Sequence, residues 1–197
     1  MHLNSELLFK KYAVEHFKPR TNVLEIGPNV PSHYQKIVGD SSIEWHTLDL
    51  YESDYLTYRA TSEYSFPIPD GAYDIVVSGQ VMEHVRKPWI WIRELARVCR
   101  PDGLVITIVP VSWPYHEAPI DCWRAFPEGM KALYEDAKLT MEFSHFESLE
   151  VPHFKHFIPG RSPADQGRQW KVSRIFGRFG LPVERSYDTI AIGRKLR

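Results

Sequence analysis

The chain has 197 residues, of which 43% are hydrophobic, 13% aromatic and 25% charged, with a formal net charge of −1 at pH 7. These values are ordinary for one globular domain, and no apolar run approaches the roughly 18 residues of a membrane span, which excludes fibrous, low-complexity and transmembrane classes. With two cysteines and a charged amino-terminal segment that lacks the apolar stretch of a signal peptide, we expect a cytoplasmic protein without disulfides.

Helix and strand signals alternate along most of the chain. In chain order, the apolar spacing and the Pro and Gly positions predict a helix over residues 4–17, a strand over 22–26, a helix over 31–38, strands over 43–48 and 73–77, a helix over 88–99, a strand over 104–109, a helix over 127–137, and strands over 140–148 and 187–192. Because parallel strands need crossover helices, this order predicts a doubly wound, Rossmann-like α/β fold with helices on both faces of a mostly parallel sheet. Ligands of such sheets bind beyond the carboxyl ends of the strands.

Charge divides the chain unevenly. Residues 151–197 carry 10 Lys and Arg against 3 Asp and Glu, whereas residues 1–150 are acidic overall. We interpret residues 151–185 as a basic insert in a single domain whose core comprises about 20–150 and 186–197. The insert can attract an anionic acceptor or make a peripheral membrane contact, although a solvated helix face explains the pattern equally well. Near-neutral charge and the lack of a recognition motif argue against nucleic acid.

Two strand ends carry residues suited to a nucleoside ligand. Gly27 ends the first strand and allows close backbone approach, and Asp49 ends the second strand, where a carboxylate can accept both ribose hydroxyls. A dinucleotide site would need two further glycines, and Glu25 suits a ligand that bears an ammonium group. We expect Asn29 to take the positive φ that a second glycine would supply. A plain strand-to-loop junction is the alternative.

An ordered set of motifs extends these features. VLEIGPN, LDL, FPIPDGAYDIVVSGQVMEHV and WIRELARVCRPDGLVITIVP together resemble class I S-adenosylmethionine-dependent methyltransferases, and most closely their type 11 branch, over roughly residues 22–140. The resemblance implies a seven-stranded sheet and S-adenosyl-L-methionine as cofactor. Glu83-His84 match an EH pair of the family, for which we favour a capping or packing role of His84 over catalysis.

The resemblance also implies the cofactor contacts. The first strand end would surround the methionine part, Asp49 would bind the ribose, the residues at 60–62 would lie near the adenine, and the third strand end would offer backbone groups near the sulfonium. The complete set of implied residues is Glu25, Gly27, Pro28, Asn29, Asp49, Leu50, Ala60, Thr61, Ser62, Ser78 and Gly79.

The loop after the 104–109 strand, PVSWPYHEAPIDCWRAFPEGM, is rich in aromatic residues and faces the transferable methyl group in related folds. We predict His116 as general base, oriented or replaced by Asp121, since an unperturbed histidine titrates near neutrality; a purely structural tie within the loop is the alternative. No metal site is predicted, because His116, Glu117 and Asp121 lack a specific ligand spacing. The predicted substrate-binding residues are Trp113, Tyr115, Trp123 and Arg124 in the loop and Arg168, Lys171 and Arg174 in the insert.

Together these features predict methyl transfer from S-adenosylmethionine to a hydroxyl of a small or saccharide-like, anionic acceptor. Two alternatives stay open. A non-catalytic scaffold or regulatory module would bind cofactor without turnover, and a nicotinamide-dependent oxidoreductase would bind NADH, against which the missing glycines argue.

Overall fold

The computed structural model describes residues 3–113, 115–117, 119–150 and 186–197, and these residues form one sheet with flanking helices. The helices are α1 Leu3–Leu8, α2 His33–Val38, α3 Pro88–Val98 and α4 Pro127–Asp136. The strands are β1 Asn22–Ile26, β2 Glu44–Asp49, β3 Tyr58–Arg59, β4 Tyr73–Gly79, β5 Cys99–Pro110, β6 Leu139–Glu147 and β7 Asp188–Lys195. A π-helical turn at Phe9–Ala13 and 3₁₀ turns at Val14–His16 and Met82–His84 complete the described helical structure.

The sheet is seven-stranded and mostly parallel, with the order β3-β2-β1-β4-β5-β7-β6. Strands β1 to β5 pair in parallel, and β7 inserts antiparallel between β5 and β6. The chain order jumps from β1 outward to β2 and β3, and then back to β4 on the other side of β1. This reversal leaves a crevice between the carboxyl ends of β1 and β4, where a ligand is expected to bind. The predicted fold class is confirmed.

Local sequence signals explain where the helices begin and end. The Ser32 hydroxyl accepts a hydrogen bond from the Gln35 N–H at 2.9 Å and caps α2, and Gly39 ends that helix in the left-handed region at φ 66°. Proline opens α3 and α4 in the first turn, where its missing N–H has no helical partner to lose. These caps fix the predicted helix boundaries to within about two residues.

Helices cover both faces of the sheet, as predicted. One core packs α3 and α4 against the strands through Trp91, Leu95 and Tyr134, and the other packs α1, the π-helical turn and α2 through Leu8, Phe9 and Tyr34. None of the helices among the described residues is long and apolar enough to cross a membrane.

Three expectations about the elements need correction or extension. The first predicted helix is divided into α1, the π-helical turn and a 3₁₀ turn. Residues 101–103, which the predicted helix over 88–99 and strand over 104–109 left outside both elements, lie inside β5. This strand already begins at Cys99, and Asp102 within it has a φ of 62°, near a register shift in the pairing with β4. Strand β3 was not predicted, because two residues are too few for a periodic signal.

Candidate functional site

The candidate site lies where the carboxyl ends of β1, β2, β4 and β5 meet. Three contacts join these ends: the Gly27 N–H donates to the Leu48 carbonyl at 2.9 Å, the Ser78 hydroxyl donates to the Ile26 carbonyl at 3.3 Å, and the Gln80 N–H donates to the Ile108 carbonyl at 2.8 Å. The loops that follow the strands are therefore held close together on a rigid edge.

Position 27 requires a glycine because of its backbone conformation and because the Val81 side chain packs closely against it. Its φ is +65°, and a Cβ at this position would lie 2.3 Å from Cγ2 of Val81. The expectation for Asn29 is wrong, because the left-handed conformation of this turn falls on Gly27, and Asn29 is not among the described residues with positive φ. Gln80 does adopt positive φ, at 60°, and so marks a second constrained backbone position at this edge.

A cleft with a cavity volume of about 60 Å³ opens beside Gly27. Its walls are mostly apolar, and Asp49 adds a carboxylate whose Oδ1 accepts the Leu50 N–H at 2.6 Å. Apolar walls that include a carboxylate have the chemical character that an adenosine site needs. Five residues implied for the cofactor line it together: Gly27, Asp49, Leu50, Ala60 and Ser62.

The other implied cofactor residues lie around the cleft without lining it. Pro28 and Asn29 are half-buried in the turn after β1, Thr61 is exposed, and Ser78 is buried. A Cβ on Gly79 would lie 2.0 Å from the Tyr34 hydroxyl oxygen, so this glycine is explained by packing on the α2 face.

Glu25 is committed to protein partners. Its Oε2 accepts hydrogen bonds from the Ser32 hydroxyl at 2.5 Å and from Trp45 Nε1 at 2.8 Å. Burial raises the pKa of the Glu25 carboxyl to about 7, although both hydrogen bonds lower it. The carboxylate thus ties β1 to the start of α2 and to β2, a structural role that the sequence did not indicate.

Residues 111–126 are here called the acceptor loop, and the part of this loop around Ile120 and Cys122 contacts the 3₁₀ turn after β4. The Cys122 N–H donates to the Glu83 carbonyl at 2.7 Å, and His84 Nδ1 lies 2.5 Å from the Ile120 carbonyl oxygen. Since a carbonyl only accepts, His84 carries a hydrogen on Nδ1, and the neutral form of the ring therefore has its lone pair on Nε2. The predicted packing role of His84 therefore coexists with an available ring nitrogen.

The predicted catalytic pair is adjacent in the acceptor loop. His116 Nδ1 lies 3.3 Å from Asp121 Oδ2, which also accepts the His116 backbone N–H at 2.9 Å. Arg124 forms a bidentate pair with Asp121, at 2.5 and 2.7 Å. Burial alone would raise the pKa of Asp121, but these hydrogen bonds outweigh it and hold that pKa below its ordinary value. Asp121 is thus suited to orient His116, and less suited to act as a base itself.

Glu83 is the site residue that sequence reasoning missed. Its side chain is fully buried, and within the described part of the chain neither carboxylate oxygen has a hydrogen-bond partner. Burial raises the pKa of the Glu83 carboxyl to about 8. The EH motif drew attention to position 83 in the sequence, but only the fold shows that Glu83 is buried beside a second histidine, His116. The rings of His84 and His116 lie edge to face, with their centroids 5.1 Å apart.

The predicted substrate-binding residues divide into three groups. Tyr115 and Trp123 are 64% and 39% exposed, so both offer aromatic faces, and Trp123 also packs edge-on against Trp89. Arg124 is engaged by Asp121 and by the Trp113 carbonyl, which leaves it tied to the loop. Arg168, Lys171 and Arg174, with the whole predicted insert 151–185, lie outside the described residues.

A larger cavity, of about 530 Å³, lies at the opposite edge of the sheet. It is lined by Thr21, Asp74 and Leu104, which stand at or near the amino ends of parallel strands, and by charged residues that include Arg100, already paired with Asp74. Ligands of doubly wound sheets bind at the other edge, and we assign no site here.

Comparison with known proteins agrees with the predicted resemblance. Residues 40–107, roughly one third of the chain, match a family model described as a methyltransferase domain. An uncharacterized methyltransferase of Mycobacteroides abscessus is 44% identical over 50 residues, which are 25% of this chain and 19% of that protein. The chain therefore spans only about a fifth of the length of the curated relatives it matches.

Solved structures show the same fold across nearly the whole chain. A SAM-dependent methyltransferase of Archaeoglobus fulgidus superposes with a TM-score of 0.63 and 15% identity, covering 96% of this chain and 92% of that one. The [4+2]-cyclase SpnF superposes with a TM-score of 0.65 and 16% identity, covering 98% and 79%. One architecture thus carries proteins named for different reactions, so function has to be argued from the site.

Proposed function

We propose that this chain, whose residues 40–107 match a methyltransferase domain and whose fold is that of a solved SAM-dependent methyltransferase, transfers a methyl group from S-adenosylmethionine to a hydroxyl of a small or saccharide-like acceptor. The observation that carries the proposal is the cleft that brings together Gly27, Asp49 and Ala60, directly beside the segment that holds the acceptor loop.

The residues that line the cleft are chemically suited to the cofactor. Asp49 would accept the ribose hydroxyls and the apolar walls would hold the adenine, while Gly27, which has no side chain and packs closely against Val81, leaves its backbone open to the ligand. When bound, the cofactor supplies an electrophilic methyl group on a sulfonium centre. The chain's part is to orient the acceptor, exclude water and remove the hydroxyl proton.

The acceptor loop supports a hydroxyl acceptor. His116 is oriented by Asp121, and Asp121 is fixed in turn by Arg124, an arrangement in which an imidazole receives a proton while the carboxylate stabilises the charge that forms. The exposed faces of Tyr115 and Trp123 suit a flat, partly apolar ring such as a sugar. Since Arg124 is already paired, recognition of an acceptor anion would fall to Arg168, Lys171 and Arg174.

Calorimetry with S-adenosylhomocysteine tests the cofactor site. We expect one binding site per chain, and Asp49→Ala should weaken binding about 10- to 100-fold, the effect of losing hydrogen bonds to a charged group. Asp54→Ala, at an exposed position in the loop after β2, is the matched control and should bind as the wild type does. The proposal is refuted if well-folded protein does not bind S-adenosylhomocysteine. If the protein binds it but transfers no methyl group from S-adenosylmethionine to any of a broad set of hydroxyl-bearing compounds, the non-catalytic alternative is favoured.

A further inference from the structure

We propose that Glu83, His84 and His116 form a binding site for a first-row divalent transition-metal ion of the zinc class. One potential ligand atom from each residue lies within 4.8 Å of the other two, and His84 Nε2 lies 3.7 Å from Glu83 Oε1. A tetrahedral ion with bonds of about 2.1 Å separates its ligands by about 3.4 Å, so small side-chain adjustments close the site.

The state of Glu83 is the second, independent observation. It is completely buried, and among the described residues both of its oxygens lack a hydrogen-bond partner. A buried polar group without a partner is costly, and a buried carboxylate especially so. Arg124 is near enough to influence Glu83, but its guanidinium is hydrogen-bonded to Asp121. A cation bound beside the two histidines would give the carboxylate the partner that it lacks.

The histidines are oriented as metal ligands usually are. His84 donates its Nδ1 hydrogen to the Ile120 carbonyl, and the Nδ1 edge of His116 faces the Asp121 carboxylate. Ligating histidines in metalloproteins typically make such a contact through one ring nitrogen and bind the metal through the other. Both contacts fix the rings before any ion arrives.

Two imidazoles and one carboxylate select the class of ion. Zn²⁺ accepts this donor set and keeps a fourth position for a water or a substrate oxygen, whereas Mg²⁺ prefers oxygen ligands in octahedral geometry. An ion here would stand beside the acceptor loop with His116 as one of its ligands, so the ion, in place of the His116 imidazole, would bind the acceptor hydroxyl and favour its deprotonation. This role in catalysis rests on the proposed function, but occupancy of the site does not.

The test is a titration of metal into chelator-treated full-length protein without any cofactor. We expect ZnCl₂ to bind at one equivalent with a micromolar or lower Kd and MgCl₂ to bind at least 100-fold more weakly. Glu83→Gln and His116→Ala should each weaken Zn²⁺ binding at least tenfold. Glu83→Gln should stay folded, because it replaces a buried unpartnered carboxylate with a neutral group of the same shape. The rise in Tm that a given Zn²⁺ concentration causes should be smaller in this variant than in the wild type.

His33→Ala is the matched control. His33 Nδ1 pairs with Glu6 Oε1 at 2.6 Å on the exposed surface, so this variant removes another histidine beside a carboxylate. Its Zn²⁺ affinity should equal that of the wild type. The inference is wrong if Zn²⁺ shows no saturable binding to the wild type or if Glu83→Gln binds Zn²⁺ as tightly as the wild type. It is also wrong if His33→Ala loses as much Zn²⁺ affinity as His116→Ala. Because S-adenosylhomocysteine is absent, a failure of cofactor binding leaves this result unaffected.

Discussion

Glu25 couples the stability of the folded chain to pH. Burial places the pKa of its carboxyl at about 7, above the ordinary value of 4.5, so the folded state holds the proton more tightly than the unfolded state. The resulting stabilisation is complete below about pH 4.5 and is lost as the pH rises through about 7. The facing groups are Ser32, Trp45 and, at longer range, His33.

We therefore expect the Glu25→Gln variant to gain stability relative to the wild type as the pH is raised from 5 to 8. The gain should be at most about 3 kcal/mol, because a tenfold change in proton affinity corresponds to about 1.4 kcal/mol. Urea unfolding at pH 5 and pH 8 gives the free energy of unfolding of the variant and of the wild type. The change in their difference between the two pH values is free of any constant cost of the altered hydrogen bonds. Glu135→Gln, at an exposed position of α4, is the control. A difference that does not change with pH would contradict the assignment.

Some residues of the candidate site could be predicted from the sequence, and others could not. Gly27, Asp49 and Ala60 were identified from strand ends and from the family resemblance, and the fold does bring them to one cleft. The φ of Asn29 was predicted wrongly, because a turn has several solutions and the sequence does not say which residue takes the left-handed one. The environment of Glu83 depends on a loop that is distant in the sequence, and no local pattern encodes that contact.

At the scale of elements, two glycines form a matched pair for testing how tightly the sheet and helices pack. Gly79 ends β4 against Tyr34, and a methyl group there would meet the tyrosine hydroxyl at 2.0 Å, while Gly129 in α4 has nothing within 4 Å. Gly79→Ala should destabilise the fold by about 1–3 kcal/mol through overpacking. Gly129→Ala should stabilise it by up to about 1 kcal/mol through helix propensity. Chemical denaturation measures both, and equal effects would show that Tyr34 does not constrain Gly79.

The bounds of a helix or strand were predicted best where a capping or turn residue stands at its end. Strand β1 and helix α2 are bounded by Gly27, Ser32 and Gly39, which act through local backbone geometry, so the sequence located them well. Strand β3 forms only because Tyr58 and Arg59 pair with the end of β2, a tertiary effect without a local signal. The start of β5 was predicted too late for a related reason, since Cys99 pairs with Tyr73 before the bulge.

At the scale of the whole molecule, charge and site are separated along the chain. The cleft beside Gly27 and the acceptor loop belong to the part of the chain that is acidic overall, whereas the predicted insert between β6 and β7 is basic overall. A basic segment acts on an anionic acceptor through long-range attraction, which salt screens over about 10 Å at 0.1 M. It has no comparable reason to change the affinity of a cofactor at the site proposed beside Gly27 and Asp49.

Neutralising Arg168, Lys171 and Arg174 together to Gln should therefore raise the Michaelis constant for an anionic acceptor, by about 10-fold or more if each charge contributes about 0.5 kcal/mol. The Kd for S-adenosylhomocysteine should stay within about twofold of the wild type, and added salt should reduce the difference in Michaelis constant. Lys10, Lys36 and Lys131, which are exposed on the described body, provide a control triple with the same change in net charge. An equal effect from the control triple would assign the attraction to net charge alone, and an unchanged Michaelis constant would remove the insert from acceptor recognition.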